Sequence, residues 1–374
     1  MAKTLHAITT LIGTIIGAGI FGIPYVVMRS GFPVGLIHIV IIGILMIITM
    51  LYLGEIALRT KQNHHLTGYA EKYLGKKGKI IMLLSLIFGI YAAILAYLIG
   101  IGESLSYLFF NSANYSLHLG IGFWVLMSLL SLLGLKALEQ GEFIGVATII
   151  ILVISMAVFF MNRIEPSNLT QYPIENPMDY LAPFGVILFA FLGYTTIPEV
   201  KRILGNKKSE MKKSIILANI LSGIVYIIFA VMVLGIKGKD TPQIATIALG
   251  RPFILLGILT MSTSYLALSI ALIDSLQFDF AQRKSKAWLY TILIPLISFI
   301  ILTLSQSANF TKVLGIGGVI TGGLTAILIL FMAEKAKYLG DRIPEYSIPI
   351  SKMLTWLLIL IFALGTIAEI INAL

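Results

Sequence analysis

Three small residues, Gly17, Ala18 and Gly19, interrupt the first long apolar segment of the chain. Glycine destabilises a helix interior by about 1 kcal/mol relative to alanine, so we expect the helix to unwind here. The amides released at the start of the next half-helix carry partial positive charge. Those of Ala18, Gly19 and Ile20 would therefore suit a carboxylate. Close helix packing is the alternative, because Gly13 and Gly17 have the four-residue spacing of packed membrane helices.

A second interruption is predicted five apolar segments later, at Gly193. Carbonyl groups released just before it, at Phe189, Ala190 and Phe191, lose their partners within the helix and are natural acceptors for an ammonium group. The side chains of Phe191 and Tyr194 can wall a pocket or form a gate, although each aromatic ring taken alone is more typical of packing. Together the two interruptions predict a site for a ligand that carries both a carboxylate and an ammonium group.

The eighth apolar segment concentrates hydroxyl groups, with Thr260, Ser262, Thr263 and Ser264 in five consecutive positions. Hydroxyl and carbonyl oxygens are hard ligands that suit a small hard cation. We therefore predict a cation site that includes the hydroxyls of Thr263 and Ser264. The alternative is that each hydroxyl bonds to a carbonyl one turn earlier in its own helix.

Acidic residues within or near apolar segments are expensive to bury and often functional. Among them, Glu55 and Asp274 are the best candidates for a proton carrier or an inner-gate partner. The others, Glu103, Glu199 and Asp279, are expected to be solvated or capping groups.

The composition requires a membrane protein. Hydrophobic residues make up 58% of the 374-residue chain and charged residues only 12%, with a mean hydropathy of +0.97. A soluble domain carries about 25% charged residues. The chain has no cysteine, which excludes disulfides and thiolate metal sites. It also has no phosphate-binding loop, zinc-protease motif or potassium filter, so a pump, an enzyme and a potassium channel are all disfavoured.

A membrane-spanning helix needs about 20 apolar residues. Eleven segments meet this length, and the stretch Thr241–Gly250 between two of them is expected to be a helix lying on the surface. The eleven segments are 7–28, 33–58, 79–110, 118–136, 140–162, 179–204, 212–236, 251–278, 287–305, 311–333 and 350–372.

The distribution of basic residues predicts the orientation. Most of the 27 Lys and Arg residues lie in connections that are cytoplasmic if the N-terminus is cytoplasmic, as the positive-inside rule requires. Eleven spans then place the C-terminus outside. The net charge of +10 is thus attributed to loops facing the cytoplasm, and no nucleic-acid partner is predicted.

The first and sixth segments are both breakable and run in opposite directions. This predicts two five-helix repeats of inverted topology, residues 7–162 and 179–333, within a single transmembrane domain. The eleventh helix, 350–372, would be peripheral. Inverted repeats with discontinuous helices are typical of secondary transporters, whose ligand binds near the middle of the membrane.

Four stretches of the chain, in this order, resemble the amino acid–polyamine–organocation superfamily. Within it the chain is most similar to the aromatic and hydroxy amino acid permeases and to the amino acid/auxin permease group. The stretches are Gly13–Pro24, Tyr91–Tyr97, Phe189–Pro198 and the run from Thr263 to Asp274.

The resemblance implies an all-α, leucine-transporter-type fold of five plus five helices, with helices 1 and 6 broken, and amino acid symport by alternating access. It implies that Ala18, Gly19 and Ile20, next to Gly17, hold the substrate carboxylate and that carbonyls near Phe189 to Phe191 hold its amino group. Tyr97 and Tyr265 join this predicted site.

In sodium-coupled relatives a cation lies between helices 1 and 8. That position corresponds here to the carbonyls of Gly13, Ile16 and Thr260 and the hydroxyls of Thr263 and Ser264. Some proton-coupled relatives carry a lysine on helix 5, whereas residues 145–161 contain no basic residue. Sodium is therefore favoured as the coupling ion. A proton-coupled permease, and a uniporter or channel for small organic solutes, are the alternatives.

Overall fold

The computed structural model describes residues 2–132, 151, 153–155, 158–170, 176–278, 280 and 282–373. Within these ranges all regular structure is helical, which confirms the predicted all-α membrane class. The α-helices are α1 Ala2–Ile15, α2 Ile23–Ser30, α3 Phe32–Arg59, α4 Leu66–Phe110, α5 Ser116–Leu132, α6 Pro183–Ala190, α7 Ile197–Leu204, α8 Met211–Lys237, α9 Arg251–Phe278, α10 Lys284–Leu304, α11 Phe310–Gly317, α12 Leu324–Leu339 and α13 Lys352–Ala373.

Nine of the predicted membrane segments have counterparts among the described residues. Eight helical stretches are long and apolar enough to cross a bilayer, and the bent pair formed by α1 and α2 makes a ninth. The fourth predicted segment begins in α5, the last helix before residue 133. Most of the fifth, 140–162, lies outside the described residues. The count of eleven therefore remains a prediction.

The first segment is interrupted where its glycines predict. Helix α1 ends at Ile15, and a 3₁₀-helix, Ala18–Gly22, leads into α2. The two halves meet at 46°, because Gly17 between them has an extended backbone with φ −94° and ψ −161°. A proline in the first turn of α2 favours the restart of the helix, since its missing N–H has no role there.

The sixth segment is also interrupted. Helix α6 ends at Ala190, and a 3₁₀-helix, Tyr194–Thr196, precedes α7. The two interruptions touch each other, because a Cβ atom at Gly19 would lie only 2.9 Å from Cα of Ala190. Glycine at this position therefore allows the two backbones to approach, which is a requirement of packing as well as of local unwinding.

Helix α4 departs from the predicted third segment at its start. Its 45 residues contain one non-helical residue, Gly75, with φ 77° and ψ −171°. This left-handed φ is readily adopted only by glycine. The residues before Gly75 thus form a separate short helix rather than part of the membrane span.

The prediction that Thr241–Gly250 lies on the surface is wrong. This stretch forms a short 3₁₀-helix, Ala245–Leu249, whose Ala245 and Thr246 side chains are fully buried. It packs against α9 and against the 3₁₀-helix Ala18–Gly22. Its length and composition excluded a membrane span correctly, but they do not distinguish a surface helix from one folded into the bundle.

Candidate functional site

A cavity of about 730 Å³ lies beside both helix interruptions. Pockets that bind small molecules typically have volumes of about 300–1,000 Å³. Helices α1, α4, α6 and α9 supply most of its walls. The lining includes Gly13, Ile16, Gly17, Gly19, Ile90, Ala93, Tyr97, Phe189, Ala190, Tyr194, Thr195, Thr260, Thr263, Ser264, Ala271 and Asp274.

The cavity opens on the face that carries the N-terminus. Its lining extends to His65 and Thr67 at the start of α4, and to Ser275 near the end of α9. On the opposite side the buried 3₁₀-helix Ala245–Leu249 covers the first interruption. The cavity is therefore accessible from one face of the bundle.

The predicted substrate residues divide into two groups. Gly17, Gly19, Phe189, Ala190, Tyr194 and Tyr97 line the cavity. The side chains of Ala18, Ile20, Phe191 and Tyr265 are buried behind its wall, and Gly193 packs against Ile15 and Met50.

The backbone at the first interruption retains free donors. The Ile20 amide already donates to the Gly17 carbonyl at 3.4 Å. The first amides of any helix have no acceptor within it. The amides of Ala18 and Gly19 have no backbone acceptor among the described residues, and Gly19 lines the cavity. The Ile20 amide contributes to the fold of the turn.

Tyr226 on α8 connects the two interruptions, and sequence reasoning missed it. Its hydroxyl lies 2.8 Å from the carbonyl oxygen of Ile15 and 2.6 Å from that of Ala190. Its ring packs edge-on against Phe191, with centroids 5.0 Å apart. The only sequence signal was a polar aromatic residue inside an otherwise apolar helix, which also fits a membrane-interface anchor.

The five predicted cation ligands all line the cavity. The hydroxyl of Thr263, however, donates to the Thr260 carbonyl at 2.9 Å. Two of the predicted ligands thus bond to each other. The Thr260 hydroxyl donates to the Leu256 carbonyl at 2.9 Å. Within the described residues, no group of three or more His, Cys, Asp or Glu could hold a metal ion.

Asp274 and Glu55 lie in different surroundings. Asp274 lines the cavity near its mouth, where it can meet an entering or leaving ligand. Glu55 does not line the cavity. Its Oε1 accepts hydrogen bonds from Arg59 at 2.8 Å and Lys337 at 2.5 Å, and its Oε2 accepts from the Ile348 amide at 2.7 Å. Glu55 thus fastens the connection before α13 to α3.

Lys201 on α7 is a second residue that sequence reasoning missed. Its side chain is buried, and its Nζ donates to the carbonyls of Thr60 at 2.7 Å and Gln62 at 3.2 Å. It thereby ties the second half of the sixth segment to the loop beside the cavity mouth. Burial, together with the nearby ammonium groups of Lys72 and Lys201, lowers the pKa of His64 in that loop.

Comparison with known proteins identifies the family of this chain. The model of the tryptophan/tyrosine permease family matches residues 1–249, which include both interruptions and Tyr226. The chain belongs to this family. The permease is therefore a transporter and not an enzyme, and the resemblance to the aromatic amino acid permeases is confirmed.

Curated relatives extend the similarity along nearly the whole permease. Tyrosine-specific transport system 1 of Haemophilus influenzae is 23% identical over 369 residues, covering 92% of this chain and 91% of that protein. Tyrosine permease of Enterobacter agglomerans is 23% identical over 392 residues, covering 94% and 91%. Tyrosine-specific transport system 2 of H. influenzae is 26% identical over 245 residues, covering 64% and 59%.

Proposed function

We propose that this permease imports aromatic amino acids of the tyrosine and tryptophan class across a bacterial inner membrane, coupled to protons. The observation that supports the proposal best is the cavity that reaches both helix interruptions in a member of the tryptophan/tyrosine permease family. The proposed substrate class is that of its relatives, a tyrosine-specific transport system and a tyrosine permease.

The recognition scheme follows from the cavity wall. The Ala18 and Gly19 amides hold the carboxylate, and the Ala190 carbonyl accepts from the ammonium group. The aromatic side chain then packs against Phe189 and Tyr97, which both line the cavity. Aromatic rings packed in offset or edge-on arrangements contribute about 0.5–1.5 kcal/mol beyond the area they bury.

Alternating access in a leucine-transporter-type fold of eleven helices provides the transport cycle in this proposal. The positive-inside rule places the N-terminus, and with it the cavity mouth, in the cytoplasm. The cavity then represents the inward-facing state, with Ala245–Leu249 closing the outer path. Substrate is released towards the mouth at Asp274, and the two interruptions move apart in the outward-facing state.

A proton is proposed as the coupling ion because one predicted sodium ligand, the Thr260 carbonyl, already accepts a hydrogen bond from another, the Thr263 hydroxyl. Thr263 donates to Thr260 at 2.9 Å, the pattern expected of a hydroxyl that serves its own helix. Sodium coupling is the second candidate, and the observation that favours it is that all five predicted ligands line the cavity.

Reconstituted permease tests the proposal in two steps. A thermal-shift screen of the twenty amino acids should give the largest rise in Tm with tyrosine or tryptophan, because a ligand that binds only the folded state stabilises it. Uptake of labelled tyrosine into proteoliposomes should then follow an imposed pH gradient and be indifferent to replacing sodium with potassium. Uptake that requires a sodium gradient would establish the second candidate. A lack of trans-stimulated counterflow would instead indicate a channel.

A further inference from the structure

The last helix, α13, turns mainly apolar side chains outwards but carries polar ones on its inner face. Trp356, Leu360 and Leu364 are more than half exposed, as expected for a helix that faces lipid. On the inner face, the Thr366 hydroxyl lies 2.7 Å from the Phe362 carbonyl and 3.3 Å from that of Val319. Glu369, one turn later, is 6% exposed. A carboxyl at this depth needs an explanation beyond packing.

The Glu369 carboxyl occupies a space left by two glycines. A Cβ atom at Gly185 of α6 would lie 2.7 Å from the carboxyl carbon of Glu369, and one at Gly315 of α11 would lie 3.0 Å from it. The Oε2 atom of Glu369 is buried and has no hydrogen-bond partner among the described residues. An isolated ionised carboxylate is very costly in such a place, so the neutral acid is the form that fits it.

The surroundings of Glu369 connect it to the transport site. Gly185 belongs to α6, whose last residues, Phe189 and Ala190, line the cavity. Between α11 and α12 the chain forms a π-helix, Gly318–Gly323, a conformation frequent at functional sites. A Cβ atom at Gly318 would lie 2.8 Å from the Phe189 nitrogen. Any movement of α6 along the π-helix therefore changes the environment of this carboxyl.

Few charged groups face Glu369. Arg29 of α2 attracts it electrostatically, but Arg29 is already paired with Asp179. Helix α6 and the π-helix carry no titratable side chain. The titratable groups on the other elements packed against α13 are Asp179 and Tyr180 before α6, Lys312 of α11, and Glu334, Lys335, Lys337 and Tyr338 in the last turns of α12.

We propose that Glu369 is the proton-binding group of the permease. The inference rests on the proposed proton-coupled function. The carboxylate accepts one proton from water when α6 moves away from α11 and admits solvent. The neutral acid is then enclosed when the helices pack again, and it releases the proton to water at the next opening. No other bond is made or broken.

The test compares wild type with Glu369→Gln in proteoliposomes, with Glu103→Gln, a carboxamide change in α4, as the matched control. At one proton per substrate, a gradient of one pH unit sustains about tenfold accumulation. Wild type and Glu103→Gln should accumulate labelled tyrosine to that extent. Glu369→Gln should lose accumulation but retain counterflow of labelled against unlabelled tyrosine, because exchange needs no net proton movement.

Different outcomes would contradict the proposed proton coupling and the proposed role of Glu369. Wild-type protein that ignores the pH gradient contradicts the proposed coupling itself. If Glu369→Gln accumulates tyrosine as well as wild type does, the proposed role of Glu369 is wrong, whereas the proposed proton coupling stands. If Asp274→Asn is then the variant that loses accumulation, the proton binds at the cavity mouth. If Glu369→Gln also loses counterflow, the variant Glu369→Asp distinguishes a titrating carboxyl from a purely structural one. Accumulation with a shifted pH profile supports a titrating carboxyl, and failure equal to that of the Gln variant shows a structural role only.

Discussion

The hydroxyl of Tyr226 lies 2.6 Å from the carbonyl oxygen of Ala190, the acceptor proposed for the substrate's ammonium group. The same hydroxyl is 2.8 Å from the carbonyl oxygen of Ile15. A phenol has one hydrogen, so it donates to only one of these carbonyls at a time. Tyr226 therefore donates to one interruption or the other when the site is empty, and in the proposed site it competes with the ammonium group for the Ala190 carbonyl.

Tyr226→Phe should lower the stability of the substrate-free permease and increase its response to substrate. A buried polar group left without its partner costs about 1–3 kcal/mol, so Tm should fall without ligand. The ammonium group then supplies the missing donor to Ala190. The rise in Tm on adding saturating tyrosine should therefore exceed that of wild type, as measured by differential scanning fluorimetry in detergent.

Tyr91→Phe is the matched control, because the Tyr91 hydroxyl also donates to a backbone carbonyl, that of Tyr290 at 3.2 Å, but away from the cavity. Tyr91→Phe should change neither the Tm without ligand nor the rise in Tm on adding tyrosine appreciably. Equal substrate-induced shifts in Tyr226→Phe and wild type would contradict the competition.

Gly19→Ala should abolish most transport. Its new Cβ would lie 2.9 Å from Cα of Ala190 and 3.2 Å from Cδ1 of Phe189, and overpacking of this kind typically costs about 1–3 kcal/mol. The two interruptions must then separate, so the affinity for tyrosine should fall by about tenfold or more, which corresponds to about 1.4 kcal/mol. Gly122→Ala in α5 is the control, because a Cβ there meets nothing within 4 Å. Normal tyrosine affinity in Gly19→Ala would show that this close backbone contact is not required for substrate binding.

The absence of cysteine from the chain allows a direct test of which face the cavity opens to. Ala271→Cys lines the cavity and should react with a membrane-impermeant maleimide in inside-out vesicles but not in intact cells. Saturating tyrosine should slow this reaction. Lys207→Cys, at an exposed position on the face of the cavity mouth but outside the cavity, should also be labelled in inside-out vesicles, and tyrosine should leave its labelling rate unchanged. Labelling of Ala271→Cys in intact cells instead would reverse the proposed orientation.

Sequence reasoning located the two helix interruptions because glycine and proline act on the backbone locally. The interruptions at Gly17 and Gly193 can be predicted without knowing which residues pack against them. The same reasoning placed Gly19, Phe189 and Tyr97 at one site through their order in the family, and the structure brings all three to the cavity wall.

The residues that sequence reasoning missed depend on contacts between distant parts of the chain. Tyr226 and Lys201 act by reaching backbone carbonyls on other elements, and no local pattern encodes such partners. Glu369 was passed over because its helix was expected to be peripheral. Its significance comes from Gly185 and Gly315, which only the packing of three helices brings together.

Thr263→Ala separates the two candidate coupling ions. Since the Thr263 hydroxyl serves the Thr260 carbonyl, its loss should leave pH-driven tyrosine uptake within about twofold of wild type, a change of less than 1 kcal/mol. Ser262→Ala is the control, because its hydroxyl makes the same kind of bond, to Ile258, and Ser262 was not among the predicted ligands. A sodium requirement in wild type that disappears in Thr263→Ala would instead establish the cation site.

Lys201→Met should loosen the loop at the cavity mouth. The Nζ of Lys201 donates to the carbonyls of Thr60 and Gln62, and hydrogen bonds from charged groups contribute about 1.5–3 kcal/mol each. Methionine keeps the length of the side chain but cannot donate, so Tm should fall by several degrees. A cysteine introduced at Thr67, which lines the mouth, should also react faster with maleimide. Lys207→Met, at an exposed position on the same face, should change neither measurement. Unchanged labelling at position 67 despite a lower Tm would mean that Lys201 stabilises α7 without restraining the mouth.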